Sequence, residues 1–283
     1  MKIISTLGNQ SIRKFNRVAL VENESGERFV LKSCALENET GCQLLLEEFQ
    51  FSFDIFGLPE AVKLDKTTSE LQLLLKYKEG IPLDHHWKSL KRKERKQFLS
   101  QFVPAFLELL QQVHQQGIIH NDIRSGNILI NGSEIHLIDF GMATRIEEKT
   151  NRKILFSLQY ASPELILNKL HLLDKTSDLF SFALVLIQLL HGKPVLTHSN
   201  PSVLTNLAIT YPLDLKGIVP KEFVSILEQM CHKATFKTSP NRMSIDEVEQ
   251  LLVGAQKIRL NNELIEDWKV SLKNWSNKKF YFL

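Results

Sequence analysis

The sequence predicts an α+β fold in two lobes: a small antiparallel β-sheet lobe with one main helix, then a larger, mainly helical lobe. Two observations predict it. Short strand-like runs punctuated by turns fill the first 83 residues, whereas helical periodicity dominates from Leu90 onward. The length of 283 residues also suits about two compact bodies at roughly 150 residues each. The expected divisions are 1–78 for the strand-rich lobe, 79–255 for the helical lobe and 256–283 for a C-terminal extension.

In the first lobe, Arg17 to Val21 and Arg28 to Ser33 read as strands joined at Ser25-Gly26, a hairpin signal. Glu39 to Phe56 reads as a helix: Leu44, Leu45, Glu48, Phe51, Ser52 and Ile55 share one face, and Gly57 and Pro59 stop it. Ala61 to Leu64 and Glu70 to Tyr77 are two more strands around the polar turn Asp65 to Ser69. The lobes join near Lys76 to Leu83.

In the second lobe, Lys93 to Gln116 carries a stripe that includes Phe98, Phe102, Phe106, Leu109, Leu110 and Val113, and Gly117 stands at its C-cap. Ile128 to Ile130 and Ile135 to Ile138 are short strands split by Asn131-Gly132. Thr176 to His191 is apolar almost all round, the mark of a buried helix. Phe223 to His232 and Ser244 to Val253 complete the helices.

Composition narrows the function. The net charge of +3, from 35 basic and 32 acidic residues, is too small to make nucleic acid the main partner. The longest nearly apolar stretch, Leu179 to Leu190, is interrupted by Ser181 and Gln188 and is too short to span a bilayer. MKIISTLGNQ lacks the apolar core of a signal peptide, so a cytoplasmic protein without a membrane partner is expected. Cys34, Cys42 and Cys231 match no zinc spacing and read as reduced thiols. Oligomeric state is not legible.

The chemistry concentrates in His120-Asn121-Asp122-Ile123-Arg124-Ser125-Gly126-Asn127, followed twelve residues after Asn127 by Asp139-Phe140-Gly141. Asp122, Asn127 and Asp139 fall on loops about a short hairpin. Oxygen and amide groups in that arrangement suit hard divalent cations and a hydroxyl nucleophile beside a polyphosphate.

These motifs resemble the eukaryotic-type protein kinase family over about residues 11 to 253. His120-Asn121-Asp122 with Asn127 stands for the catalytic loop, and Asp139-Phe140-Gly141 for the metal-binding motif. Ser162-Pro163-Glu164 closes the activation segment, and Phe29-Val30-Leu31-Lys32 stands for the third-strand lysine motif. Asp178 and Arg242 match later landmarks. The resemblance implies a bilobal protein-kinase-like fold and transfer of the γ-phosphate of ATP to Ser or Thr hydroxyls of protein substrates. Asp122 is then the residue that orients the hydroxyl and accepts its proton, with Arg124 and Lys32 beside the phosphates. Asn127 and Asp139 are the Mg2+ ligands. The nucleotide site is implied at Lys32, Glu48, Val18, Val30, Lys76, Tyr77, Lys78 and Leu129. Ser157, Glu164 and Arg242 belong to the substrate segment. Glu47 and Glu48 both qualify as the partner of Lys32; helical periodicity turns Glu48 inward. His120 and Phe140 are packing residues in the same picture.

The chain departs from the family pattern in three places. The glycine-rich loop is missing: its three glycine positions become Ser11, Arg13 and Asn16, which obstructs close approach of backbone amides to phosphate. Val30 replaces a small Ala over the adenine, a change that costs ~1–3 kcal/mol where the site cannot relax, or roughly ten- to a hundredfold in affinity. Asn121 replaces the Arg that pairs with an activation-loop phosphate, so no reliance on that phosphate is expected, although Thr150 lies among Lys149, Arg152 and Lys153. Ser157 stands where Ser/Thr kinases carry Thr. The alternatives are a pseudokinase that acts as a binding or scaffolding module, and a kinase-like small-molecule phosphotransferase. Trp268, Trp275, Phe280 and Tyr281 in the C-terminal extension read as packed aromatics, with a docking role as the alternative.

Overall fold

The computed structural model describes residues 1–7, 17–52, 57–147, 155–210, 213–232 and 242–258, with side chains in the last stretch up to 252. Ser11, Arg13, Asn16, Ile55, Thr150 and the aromatic residues after 258 lie outside the described residues. In chain order the strands are β1 (Lys2–Thr6), β2 (Arg17–Glu22), β3 (Arg28–Ala35), β4 (Ala61–Lys66), β5 (Glu70–Lys76), β6 (Ile81–Pro82), β7 (Ile118–Ile119), β8 (Ile128–Asn131), β9 (Glu134–Leu137) and β10 (Thr144–Arg145). The helices are α1 (Glu39–Gln50), α2 (Leu83–Ser89), α3 (Arg92–Gln115), α4 (Pro163–Ile166), α5 (Lys175–His191), α6 (Pro201–Thr210), α7 (Lys221–Met230) and α8 (Ile245–Ile258).

Two compact units emerge, and neither is continuous in sequence. The first comprises Met1–His86 and Gly126–Ala143, the second Trp87–Ser125 and Thr144–Leu283.

The first unit is built on an antiparallel sheet in the order β1-β2-β3-β5-β4. Strand alternation turns Val30, Lys32 and Cys34 of β3 to one face. On that face Cys34 and Leu45 of α1 pack with Leu71, Leu73 and Leu75 of β5, and Val30 and Cys42 flank the cluster. Val21, Phe29 and Leu74 form a smaller core on the opposite face. The sequence reading lacked β1, whose five residues are all exposed and carry no buried-face signal. It also ran α1 too far. The helix ends at Gln50, and the Ser52 hydroxyl donates to the Glu48 carbonyl at 2.8 Å, satisfying one of the acceptors that a helix end leaves open. Asn38 caps the other end, its Oδ1 accepting from the Gly41 amide at 2.9 Å.

A second sheet in this unit pairs β6 with β8 and β8 with β9. Gly80 makes the approach to it possible: at φ +148° a Cβ would sit 3.1 Å from the Ile130 carbonyl oxygen.

The second unit packs α3 and α7 against α8, and α5 against α7. Thirteen of the 17 residues of α5 are buried, as its apolar circumference requires. Phe102 and Phe106 of α3 meet Phe182 of α5 with ring centroids 6.1 and 4.6 Å apart. Asp174 and Gly192 close α5 at its two ends, Asp174 through a capping box and Gly192 in the left-handed region at φ 90°. Among the described residues, no helix is long and apolar enough to cross a membrane.

Candidate active site

The site residues divide cleanly between the units. Val18, Val30, Lys32, Glu48, Lys76, Tyr77, Lys78, Asn127, Leu129 and Asp139 belong to the first, and Asp122, Arg124, Ser157, Glu164 and Arg242 to the second.

In the first unit the centre is Lys32. Its Nζ lies 2.7 and 2.6 Å from the two carboxylate oxygens of Glu48 and 2.8 Å from Oδ1 of Asp139. Glu48 is the partner, not Glu47, whose Oε1 accepts from Gln43 instead. Burial alone would lower the Lys32 pKa; the negative charges and hydrogen bonds of Asp139 and Glu48 overcome it and raise the pKa above 10.5. Lys32 is therefore a fixed cation in a largely desolvated place, with side-chain exposure of 10%.

Asp139 adopts a left-handed conformation at φ 72°, which Asp tolerates better than most residues, and a 3₁₀ turn follows at Phe140–Met142. That turn lies against α1. A Cβ on Gly141 would meet the Leu44 carbonyl oxygen at 3.1 Å, so glycine here permits close approach of two backbones. Asp139 keeps 38% side-chain exposure beside the buried Asn127. Backbone pairing also links the two segments, the Ile138 amide donating to the Asn127 carbonyl at 2.9 Å. An amide oxygen and a carboxylate are side-chain types that suit Mg2+.

The residues expected at a nucleotide site lie in the same unit. Val18 is buried on β2 opposite Lys32 in register, and Val30 is half-buried opposite Leu75. Lys76 pairs with Glu60 at 2.6 Å, and the Tyr77 amide donates to the Arg28 carbonyl at 3.3 Å. Lys78 lies near His136, whose pKa is lowered first by burial and then by that cation. Leu129 is half-buried on β8, paired with Pro82.

In the second unit Asp178 organises the loop that carries Asp122. Fully buried on α5, it accepts at 2.9 Å from each of three donors: His114 Nε2 and the amides of His120 and Asn121. Asn121 then turns left-handed at φ 63°, and its side-chain amide donates to Thr144 Oγ1 at 3.0 Å. Asp122 follows, buried, with Arg124 Nε 3.2 Å from its Oδ2. The Arg124 side chain remains 37% exposed.

The same unit holds Ser157, Glu164 and Arg242, expected in a substrate segment. Glu164 and Arg242 form a forked pair at 2.6 and 2.9 Å with both side chains fully buried. Ser177 donates to Glu164 at 2.6 Å, and Arg242 also donates to the His232 carbonyl at 2.7 Å. Burial would raise the Glu164 pKa, but the Arg242 bonds and charge and the Ser177 hydroxyl hold it below the ordinary carboxylate value. Ser157 opens the turn ahead of this brace, its carbonyl accepting from the amides of Tyr160 and Ala161 at 2.8 and 3.0 Å.

Sequence reasoning missed His114, Thr144 and Gln188. Gln188 accepts from Tyr160 Oη at 2.7 Å and from Ser125 Oγ at 3.4 Å, joining the segment around Tyr160 to the loop that carries Asp122. Its signal was available: Gln188 is one of two polar residues interrupting the most apolar stretch of the chain.

A strand lysine held by a helix glutamate and by an aspartate thus sits in the strand-rich part of an α+β fold whose later part is mostly helical. Residues 13–252 match the protein kinase domain family, and the chain belongs to it. Among similar proteins, "cGMP-dependent protein kinase, isozyme 2 forms cD5/T2" of Drosophila melanogaster is 30% identical over 238 residues, 79% of this chain and 24% of that protein. "Mitogen-activated protein kinase HOG1" of Ustilaginoidea virens is 30% identical over 194 residues, 64% of this chain and 52% of that protein. The chain thus matches about a quarter of the first relative and about half of the second.

Proposed function

We propose that this chain transfers the γ-phosphate of ATP to Ser or Thr hydroxyls of protein substrates, with no reliance on activation-loop phosphorylation. The carrying observation is the Lys32 ammonium held by Glu48 and Asp139. Kinase chemistry requires that Lys–Glu ion pair, and its presence supports the kinase reading.

The roles follow from charge. Lys32 would neutralise the α and β phosphates. Asp122 would orient the substrate hydroxyl and take its proton as that oxygen bonds to the γ-phosphorus and the bond to the β-phosphate oxygen breaks, leaving ADP. Arg124, with its exposed guanidinium, would offset charge on the moving phosphoryl group. Asn127 and Asp139 would hold Mg2+, which supplies charge neutralisation on the phosphates when bound. Independence from an activation-loop phosphate is supported by Asn121, which makes a neutral hydrogen bond to Thr144 where the family usually places a cation. The Glu164–Arg242 brace supports a protein substrate over a small alcohol, because that segment supports the peptide side of the family's site.

A binding-module reading draws on Val30, whose bulk narrows the adenine slot and part of whose surface packs on the core. One experiment separates the readings: incubation with Mg2+ and γ-labelled ATP, a generic Ser/Thr protein substrate, and Asp139→Asn as control. Transfer that vanishes in the control is expected. Absence of transfer together with absence of a nucleotide-dependent thermal shift would overturn the kinase reading in favour of a binding module.

A further inference from the structure

Cys34 is the next-to-last residue of β3 and Cys42 lies in the first turn of α1, and their thiols converge. Cys34 Sγ is 3.5 Å from the Ala35 carbonyl oxygen and 3.6 Å from that of Asn38. Cys42 Sγ is 3.4 Å from the same Ala35 oxygen. Both sulfurs therefore gather on the one Ala35 carbonyl oxygen. Cys34 is buried in the cluster of Leu45, Leu71, Leu73 and Leu75, whereas Cys42 is half-buried at its edge. A short tether keeps them there: the Asn38 cap fixes the start of α1, and the Cys42 amide donates to the Asn38 carbonyl at 3.0 Å.

We infer that Cys34 and Cys42 form a reversible oxidation site, converted by hydroperoxides to a disulfide that ties β3 to α1. The chemistry balances. The accessible Cys42 sulfur attacks the peroxide O–O bond, giving a sulfenic acid and releasing water or an alcohol. Cys34 then attacks the Cys42 sulfur, forming the S–S bond and releasing a second water. Two thiols lose two electrons and two protons, and the hydroperoxide is reduced. Burial first, and then the neighbouring Cys42 thiol, push the Cys34 pKa up to about 11. That assigns the first attack to Cys42 and the resolving role to Cys34.

The location gives the bond a consequence. Cys34 lies two residues beyond Lys32 on the same strand face, and Cys42 lies on the helix that carries Glu48. A cross-link there holds the start of α1 to β3 and so keeps Glu48 within reach of Lys32. This inference goes beyond the proposed activity and does not depend on it.

The test uses the whole chain, hydrogen peroxide and peptide mapping without reductant. The expected product is a Cys34–Cys42 linked peptide, about 2 Da below the dithiol, that disappears with dithiothreitol and does not form in Cys42→Ser. Accumulation of Cys42 sulfinic acid with Cys34 still a thiol would overturn the proposal, as would linkage to Cys231 or to a second chain. Amide exchange reads the consequence separately: protection of α1 should rise on oxidation of the wild type and not in Cys42→Ser. Equal α1 protection in oxidised and reduced wild type would refute the bracing role.

Discussion

Replacing Glu164 by Gln keeps the side chain's shape and removes its charge. The structure sets the size of the effect. Arg242 loses a forked partner at 2.6 and 2.9 Å in a site with no side-chain exposure. Among the described residues it also contacts the carbonyls of His232 and Thr176 and the face of Phe180, 4.8 Å away. Those groups accept hydrogen bonds but carry no full charge. Breaking a buried pair on one side costs about 3–5 kcal/mol. At ~2–4 °C per kcal/mol for a body of this size, the unfolding midpoint should fall by roughly 6–20 °C near neutral pH. Acid provides an internal control. Glu164 has a folded pKa below its unfolded one, so its contribution is full above the ordinary carboxylate range and is lost as pH falls through the folded value. Glu164→Gln has no such group to protonate. Thermal melts of both proteins from about pH 7 down to about pH 3 should therefore show the gap narrowing in acid. A gap under ~1 kcal/mol near neutrality, or one that is constant across the series, would refute the assignment of this pair as the brace.

Lys32→Met should reduce phosphate transfer by about 10²–10³-fold in a labelled-ATP assay, the range for losing one electrostatic donor at a reacting centre. Asn121→Arg should lower stability by ~1–3 kcal/mol in denaturant titration, because it replaces a neutral bond to Thr144 with a charge in a site 4% exposed. Gly141→Ala should press on the Leu44 carbonyl and cost ~1–3 kcal/mol, with faster amide exchange in α1 as its local sign. Val30→Ala should tighten nucleotide binding by roughly tenfold by calorimetry, while costing up to about 1.5 kcal/mol of stability for two methyl groups taken from the core edge.

Most of the architecture was readable because burial imposes period. The stripe along α3 and the near-continuous apolar run of α5 each mark a helix by the order of their apolar residues, and the Asn131-Gly132 turn marks the β8–β9 hairpin. β1 was not readable, since a strand with no buried side chain leaves no alternation. The true end of α1 was not readable either: Phe51 and Ser52 continue the helical pattern, and the backbone at Phe51 and the Ser52 hydroxyl bond show where the helix stops. Motif spacing singled out Lys32 and Asp139, which the structure brings into contact, and periodicity turned Glu48 inward, where it meets Lys32. Spacing could not reveal that Asp178 reaches back 64 residues to His114, or that Asn121 finds Thr144. Those partners are chosen by tertiary contact, which a local pattern does not record.

The interleaving of the two units bears on how the chain is made. A chain released only as far as His86 has Lys32 and Glu48 but neither Asp139 nor the strand that pairs with β6. The first unit stays incomplete until residues 126–143 arrive across 39 intervening residues that fold elsewhere. Closing that loop carries an entropy cost before any contact repays it. The Lys32 cation therefore receives its second carboxylate late in assembly, and a truncated N-terminal fragment should be a poorer folder than its continuous five-stranded sheet suggests.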